Sequence, residues 1–223
     1  VLRLSFQATL IGVVFAAGVG TLATEIAASR LLAPYFGNST IVWANVIGLT
    51  LASLSVGYWL GGRLADRYPT PRALGLIVAA AACLVAVATL LARPILDFSV
   101  EGLDRVSAGA AIGSFFGVLI LFVPPVTLMG MVAPFAIRLA IQDVESAGTV
   151  SGRLYAVSTV GSLLGTFLAA LVAIPAIGTQ RTLLAAAALI GASGAVLLGR
   201  RWTLLAAGLA ALLLIPPGAV KGQ

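Results

Sequence analysis

The sequence predicts an all-α, polytopic membrane protein, a helical bundle of about seven transmembrane helices with almost no soluble part. Hydrophobic residues make up 61 % of the chain and charged residues only 9 %, whereas a soluble domain carries roughly 25 % charged residues. Seven apolar stretches run through the chain, separated by short breaks rich in glycine, proline and polar residues. Most of them reach the roughly 20 residues that a helix needs to cross a hydrocarbon core. We therefore predict that lipid surrounds most of the chain.

The predicted helices follow one another in a single transmembrane domain that occupies residues 1–223. They lie at 6–33, 41–60, 73–92, 108–133, 154–177, 183–198 and 202–215. The last stretch is short, because about 14 residues rising 1.5 Å each cover only about 21 Å. It would cross a thinned bilayer or re-enter the membrane from one side. The short connections make neighbouring helices antiparallel.

The residue inventory excludes several kinds of chemistry. The chain has no histidine, which rules out histidine acid–base catalysis, Ser-His triads and histidine metal sites. Its single cysteine, Cys83, lies in an apolar stretch and can form no internal disulfide. Metal-spaced cysteines, a phosphate-binding loop and a nucleophile motif are all absent from the sequence. We therefore predict no catalytic residue, no metal and no cofactor in this chain.

The basic residues predict a membrane orientation. The 13 Lys and Arg give a net charge of +6, but they are scattered singly along the chain, which argues against a nucleic-acid partner. In membrane proteins Lys and Arg accumulate in cytoplasmic connections. A cytoplasmic N-terminus would place the larger share of them inside, namely Arg3, Arg63, Arg67, Arg72, Arg138, Arg153, Arg200 and Arg201. We therefore predict that the N-terminus is cytoplasmic.

Two stripes of small residues predict close helix contacts. They are Gly12, Ala16, Gly20, Thr24 and Ala28 in the first helix, and Gly161, Gly165, Ala169 and Ala173 in the fifth. Four-residue spacing places each stripe on one helix face, where small side chains let backbones approach closely. The contact can lie inside the bundle or join two copies in a homodimer, and the sequence leaves both open.

Glu25 is the most informative residue for function. An ionisable group in a spanning helix costs at least about 2.5–3.5 kcal/mol on insertion scales and normally faces the protein interior. Glu25 shares a helix face with Thr21 and Ser29. A carboxylate among hydroxyls can bind a cation or an amine, or take up a proton; the alternative is a structural ion pair with an arginine of another helix.

Three further polar residues belong to the predicted substrate site. Arg30 lies near the outer end of the first helix, where its side chain can also reach the interface. Asn45 and Ser158 can line a polar path through the bundle or form hydrogen bonds between helices.

Pro124, Pro125 and Pro134 interrupt the fourth stretch, which predicts either a kink beside an interior cavity or a simple bend.

One connection resembles a motif of the major facilitator superfamily. The segment Gly62-Arg63-Leu64-Ala65-Asp66-Arg67 resembles the first half of that superfamily's loop between helices two and three. It departs afterwards, with Tyr68-Pro69-Thr70-Pro71-Arg72 in place of a glycine and two basic residues. The resemblance implies a gating loop with Gly62, Asp66 and Arg67, and a fold like half of a facilitator transporter. The alternative is a cytoplasmic basic anchor.

Four segments resemble the membrane region of bacterial spermidine synthase-like proteins, which are fused major facilitator and spermidine synthase proteins. They occupy 25–37, 57–67, 130–139 and 152–166, so the similarity covers nearly the whole chain. It implies a bacterial inner-membrane location and a soluble aminopropyltransferase-like domain beyond Gln223. That domain would use decarboxylated S-adenosylmethionine and a polyamine, and none of its catalytic residues lies in this chain.

Three functions remain open at this stage. The chain can bind or move a small amine-type solute, such as a polyamine, beside the fused domain. It can instead serve only as a membrane anchor and dimerisation platform. As a third possibility it is an independent half-sized transporter, which would need a second copy because six or seven helices match half of a twelve-helix transporter.

Overall fold

The computed structural model describes residues 2–101, 109–141, 143–199 and 202–214, and every regular element in these ranges is helical. A 3₁₀ turn at Val144–Ser146 precedes α7, and a π-helical segment at Leu168–Ala173 joins α7 to α8. The α-helices are α1 (Leu2–Phe36), α2 (Thr40–Arg67), α3 (Pro71–Glu101), α4 (Gly109–Leu121), α5 (Val123–Gly130), α6 (Val132–Ala140), α7 (Ala147–Phe167), α8 (Ile174–Ile177), α9 (Thr179–Leu198) and α10 (Thr203–Ala211).

Six helical segments of the described chain are long and apolar enough to cross a membrane, one fewer than the sequence predicted. They are Phe6–Phe36, Thr40–Arg67, Pro71–Ser99, Val123–Ala140, Val144–Ile177 and Thr179–Leu198. The predicted seventh span at 202–215 forms only α10 and a 3₁₀ turn that ends at Leu214; residue 215 lies outside the described residues. Nine residues of α10 rise about 14 Å, which is too short for a hydrocarbon core of about 30 Å.

Prolines divide the predicted fourth helix (108–133) into α4, α5 and α6. Pro124 and Pro125 fall in the first turn of α5, and Pro134 falls in the first turn of α6, where a missing N–H is tolerated. Pro134 has no N–H to donate to the carbonyl of Gly130, four residues earlier. The sequence predicted either a kink beside an interior cavity or a simple bend. The structure shows a break in the helix, and a small cavity lies beside this break.

Two other prolines lie inside helices, although the sequence predicted that the helices end near them. Pro34 lies inside α1 and Pro94 lies inside α3, so both helices extend beyond their predicted ends. Two other helices end at glycines. Gly178 and Gly199 follow α8 and α9 with φ of +83° and +90°, a left-handed conformation that glycine adopts without steric cost.

Helix α1 runs through the middle of the bundle and packs mainly against α7 and α9, while α9 also packs along α3. Helices α2 and α7 lie at the outside. Their outer faces carry large exposed apolar side chains, among them Ile41, Leu51, Trp59, Leu163 and Phe167. Apolar side chains on the outer faces are what a lipid environment requires.

The small-residue stripes are used inside the bundle. Gly161 and Gly165 of α7 lie against the backbone of Phe15 and Val19 in α1. A β-carbon at Gly161 would lie 2.5 Å from the Phe15 carbonyl oxygen. For the α7 stripe this resolves the alternative left open by the sequence, because its close contact lies within the bundle. Its partners in α1 are not members of the predicted α1 stripe, in which Gly20 lies against Ile190 of α9 and Gly12 has no neighbour within 4 Å. A homodimer through these glycines would have to separate α1 from α7.

Candidate functional site

A small cavity opens between four helical segments of the bundle. Helices α1, α2 and α7 and the junction of α5 with α6 form its walls, and its volume is about 60 Å³. A buried water needs a cavity volume of about 10–15 Å³ when the volume is measured in the same way. The cavity therefore has room for about four waters or for a group of similar size. The cavity is partly open, and we call it the α1–α7 cleft. Its polar or aromatic lining includes Thr21, Tyr58, Ser158 and Ser162.

Two hydroxyl groups of the cleft donate to backbone carbonyls of α1. Thr21 Oγ1 donates to the Ala17 carbonyl at 2.7 Å and lies 3.5 Å from the sulfur of Met129. Ser162 Oγ donates to the Gly18 carbonyl at 3.5 Å, which joins α7 to α1. Because the hydroxyl protons of Thr21 and Ser162 are directed to acceptors, their oxygen lone pairs remain available to a donor in the cleft.

The helix break adds a backbone acceptor to the same wall. Gly130 lines the α1–α7 cleft, and its carbonyl lacks the usual i+4 donor because residue 134 is proline. Irregular backbone inside a membrane domain is tolerated where it borders protein or a wet cavity. The cleft is therefore lined by hydroxyl-bearing residues, by the glycine whose carbonyl lacks its helical donor, and by the aromatic residue Tyr58.

Glu25 lies one helical turn beyond Thr21 and does not itself line the cleft. Its neighbours on the same side of α1, Thr21, Ala28 and Ser29, are buried, whereas the exposed face of α1 carries Arg30 and Pro34. The half-buried Glu25 side chain is therefore directed to the bundle side of α1, as the sequence predicted. The alternative of a structural ion pair with an arginine of another helix is not seen among the described residues, where no hydrogen bond or ion pair reaches the carboxylate.

The remaining predicted site residues lie elsewhere. Ser29 Oγ donates to the Ile26 carbonyl of its own helix at 2.8 Å, and Arg30 is exposed. Asn45 Nδ2 donates to the Ala111 carbonyl at 2.8 Å and to Ser114 Oγ at 2.9 Å, which ties α2 to α4. The structure thus brings Thr21 and Ser158 together in the cleft with Glu25 close by, whereas Asn45 makes an interhelical contact outside it.

The residues of the predicted gating loop are helical. Gly62, Asp66 and Arg67 lie in the last turns of α2, and the connection to α3 consists of residues 68–70. Asp66 Oδ1 accepts a hydrogen bond from Arg138 Nε of α6 at 3.0 Å, with the side chains 73 % and 49 % exposed. A pair so exposed contributes at most about 1 kcal/mol. It links the ends of the second and fourth spans.

Sequence reasoning missed several lining residues. Tyr58 and Met129 are ordinary members of apolar stretches, and nothing in their spacing indicates that they share a cavity. Gly130 could have been found, because Pro134 lies four residues later and frees its carbonyl. A second cavity near Arg93 and Arg181 was missed as well, because those residues belong to spans far apart in the sequence.

The fold and the site define a class of protein. The part of the chain that the structure describes has six long apolar helices with large hydrophobic side chains on outer faces, and these are features of a multi-pass membrane protein. Searches against known protein families, curated proteins and solved structures return no match for this chain.

Proposed function

We propose that this chain is the membrane domain of a spermidine synthase-like protein and that the α1–α7 cleft, together with Glu25, binds a small amine cation. The observation that carries the proposal is the Glu25 carboxylate, which lies within a membrane span on the bundle side of α1 and has no partner among the described residues. The resemblance of the segments 25–37, 57–67, 130–139 and 152–166 to that family supports the first half of the proposal.

A carboxylate that lies within a membrane span without an ion-pair partner is stabilised when it binds a cationic ligand or a proton. Its insertion costs at least about 2.5–3.5 kcal/mol, and no internal ion pair offsets this cost in the described part of the chain. A membrane anchor without ligand has no use for such a group, since glutamine or leucine would fit the helix at lower cost. The anchor function is therefore the weaker explanation, although the packing of Gly161 and Gly165 would serve it equally well.

The lining of the cleft matches a primary ammonium group. An ammonium has three N–H donors and needs acceptors, which Thr21, Ser158 and the Gly130 carbonyl supply. Tyr58 adds an aromatic face, which attracts a cation electrostatically. A volume of about 60 Å³ accommodates one ammonium end with a few waters, so the rest of a diamine would extend through the open side. Glu25 then provides the opposite charge one turn away.

A half-sized transporter would use the same cleft. The break between α5 and α6 borders the cleft, and broken helices occur at the substrate sites of transporters. This function differs from binding alone in requiring a second copy of the chain across the open side. Measurement of the oligomeric state in a lipid nanodisc separates the two.

Calorimetric titration of putrescine into the purified protein tests the proposal. Glu25→Gln keeps the shape of the side chain and removes its charge, so affinity should fall about ten-fold to a hundred-fold, the equivalent of one charge-assisted hydrogen bond of about 1.5–3 kcal/mol. Glu145→Gln, which changes an exposed glutamate before α7 in the same way, should leave affinity unchanged. Equal binding by wild type and Glu25→Gln, or no binding by wild type, would refute the proposal.

The same variant tests for a structural role. If Glu25 formed an ion pair that stabilises the bundle, Glu25→Gln would lower the thermal midpoint. Because the carboxylate has no partner among the described residues, we expect the midpoint of the ligand-free protein to stay the same or to rise.

A further inference from the structure

A second and larger cavity lies near the end of α1, where Leu31 belongs to its lining. Its volume is about 250 Å³, and residues of α1, α3 and the junction of α8 with α9 line it. We call it the α3–α9 cavity. Both of its charged lining residues are arginines, Arg93 of α3 and Arg181 of α9. A cavity of this size has room for an anion such as phosphate together with several waters.

Each arginine has one nitrogen without a hydrogen-bond partner. Arg93 Nη1 and Arg181 Nε are shielded from solvent and have no hydrogen-bond acceptor. Among the described residues neither side chain takes part in an ion pair. A guanidinium stays protonated in proteins, so the two charges remain, and leaving a buried donor without an acceptor costs about 1–3 kcal/mol or more for a charged group. Two such groups beside one cavity favour a ligand that accepts hydrogen bonds and carries negative charge.

The backbone supplies further donors at the same place. Helix α9 is 20 residues long and begins at Thr179, and no side chain caps its N-terminus. The first-turn N–H groups of a helix have no intrahelical acceptors and carry partial positive charge. Thr179, Gln180 and Arg181 of this turn line the α3–α9 cavity. The uncapped turn and the two arginines therefore favour the same kind of ligand.

One acidic residue lies near. Asp97 is one turn beyond Arg93 on α3, is exposed, and interacts with Tyr35 of α1. It does not line the α3–α9 cavity, and no ion pair joins it to Arg93 in the described part of the chain. Two arginines and a helix N-terminus outweigh this single carboxylate, so the cavity remains electropositive.

We infer that the α3–α9 cavity binds a phosphate-type oxyanion between Arg93, Arg181 and the first turn of α9. Arginine forks match the oxygens of phosphate, and a helix N-terminus binds the same groups. The anion is either a free phosphate or the headgroup of an anionic phospholipid. This site is separate from the amine site and stands whether or not the chain binds amines.

Two binding measurements on the detergent-purified full chain test the site and separate the two sources. Equilibrium binding of radiolabelled inorganic phosphate reports a free anion, and native mass spectrometry with added phosphatidylglycerol reports a lipid headgroup, with phosphatidylcholine as the reference lipid. We expect Arg93→Gln and Arg181→Gln each to weaken whichever ligand binds by about ten-fold to a hundred-fold. Arg181→Lys, which keeps the charge and loses the fork, should weaken it less.

Arg72→Gln is the matched control, because Arg72 is exposed in the first turn of α3 and lies outside the cavity; it should bind as wild type does. Binding of phosphate, of phosphatidylglycerol or of both supports the site and identifies the source. Two results overturn it: wild type binds neither probe, or the glutamine variants bind as tightly as wild type. The wild-type measurement decides the matter even if a variant fails to fold.

Discussion

The side-chain amide of Asn45 donates a hydrogen bond to the hydroxyl of Ser114, at 2.9 Å, across the interface between α2 and α4. The same amide donates to the Ala111 carbonyl. We expect Asn45→Ala to lower the free energy of unfolding by about 1 kcal/mol, within the range found for hydrogen bonds between membrane helices. Thermal unfolding in detergent measures this loss.

The control for this prediction is Ser55→Ala on the same helix. Ser55 is exposed, and its hydroxyl donates to the Leu51 carbonyl of its own helix, so its removal should change stability little. If both substitutions lower the thermal midpoint equally, the bond between α2 and α4 does not stabilise the bundle.

Gly161 and Gly152 of α7 should respond in opposite ways to alanine. A β-carbon at Gly161 meets the backbone of α1, whereas one at Gly152 has no atom within 4 Å. We expect Gly161→Ala to destabilise the bundle by about 1–3 kcal/mol through overpacking. Gly152→Ala should be neutral or stabilise by up to about 1 kcal/mol, because alanine favours helix. Equal midpoints for the two variants would contradict the close α1–α7 contact.

Length and apolar content were enough to predict most of the spanning helices, since they decide whether a segment can cross a membrane. Their ends were harder to predict. Pro94 was placed in a connection but lies inside α3, and the last predicted span forms only the short α10. A proline signals a break only when its neighbours cannot satisfy the freed carbonyl, and this depends on tertiary contacts.

The candidate site could be predicted only in part, again because its composition depends on tertiary contacts. Glu25 is conspicuous in an apolar helix, and its neighbours Thr21 and Ser29 follow from the helical repeat. Which of the polar residues share a cavity depends on packing between distant segments. Ser158 meets Thr21 in the cleft, whereas Asn45 contacts α4 instead. The Arg93 and Arg181 pair has no sequence signal, because each residue alone resembles an interfacial arginine.

The connection between α2 and α3 should lie in the cytoplasm. Arg63, Arg67 and Arg72 flank it, and such basic residues are retained on that side. In a chain carrying Cys83→Ser, a cysteine introduced at Thr70 should escape an impermeant maleimide in intact cells. A cysteine at Asn38, at the other end of α2, should be labelled. The reverse pattern would invert the predicted orientation.

Loss of the Asp66–Arg138 ion pair should cost little stability. Both side chains are largely exposed, so Asp66→Asn should lower the free energy of unfolding by less than about 1 kcal/mol. If the pair controls opening between the second and fourth spans, the variant should instead change the rate at which putrescine binds. A stopped-flow measurement beside the unfolding curve distinguishes these effects, and a large stability loss would contradict the exposed geometry.

The most direct test of the amine site is protection of a cysteine placed in the α1–α7 cleft. In the Cys83→Ser chain, Ser158→Cys lines the cleft and should react with a small ammonium thiosulfonate. Putrescine should slow this reaction several-fold while Glu25 is present, and should slow it much less in Glu25→Gln. Equal reaction rates with and without saturating putrescine, in the chain that retains Glu25, would contradict amine binding in the cleft.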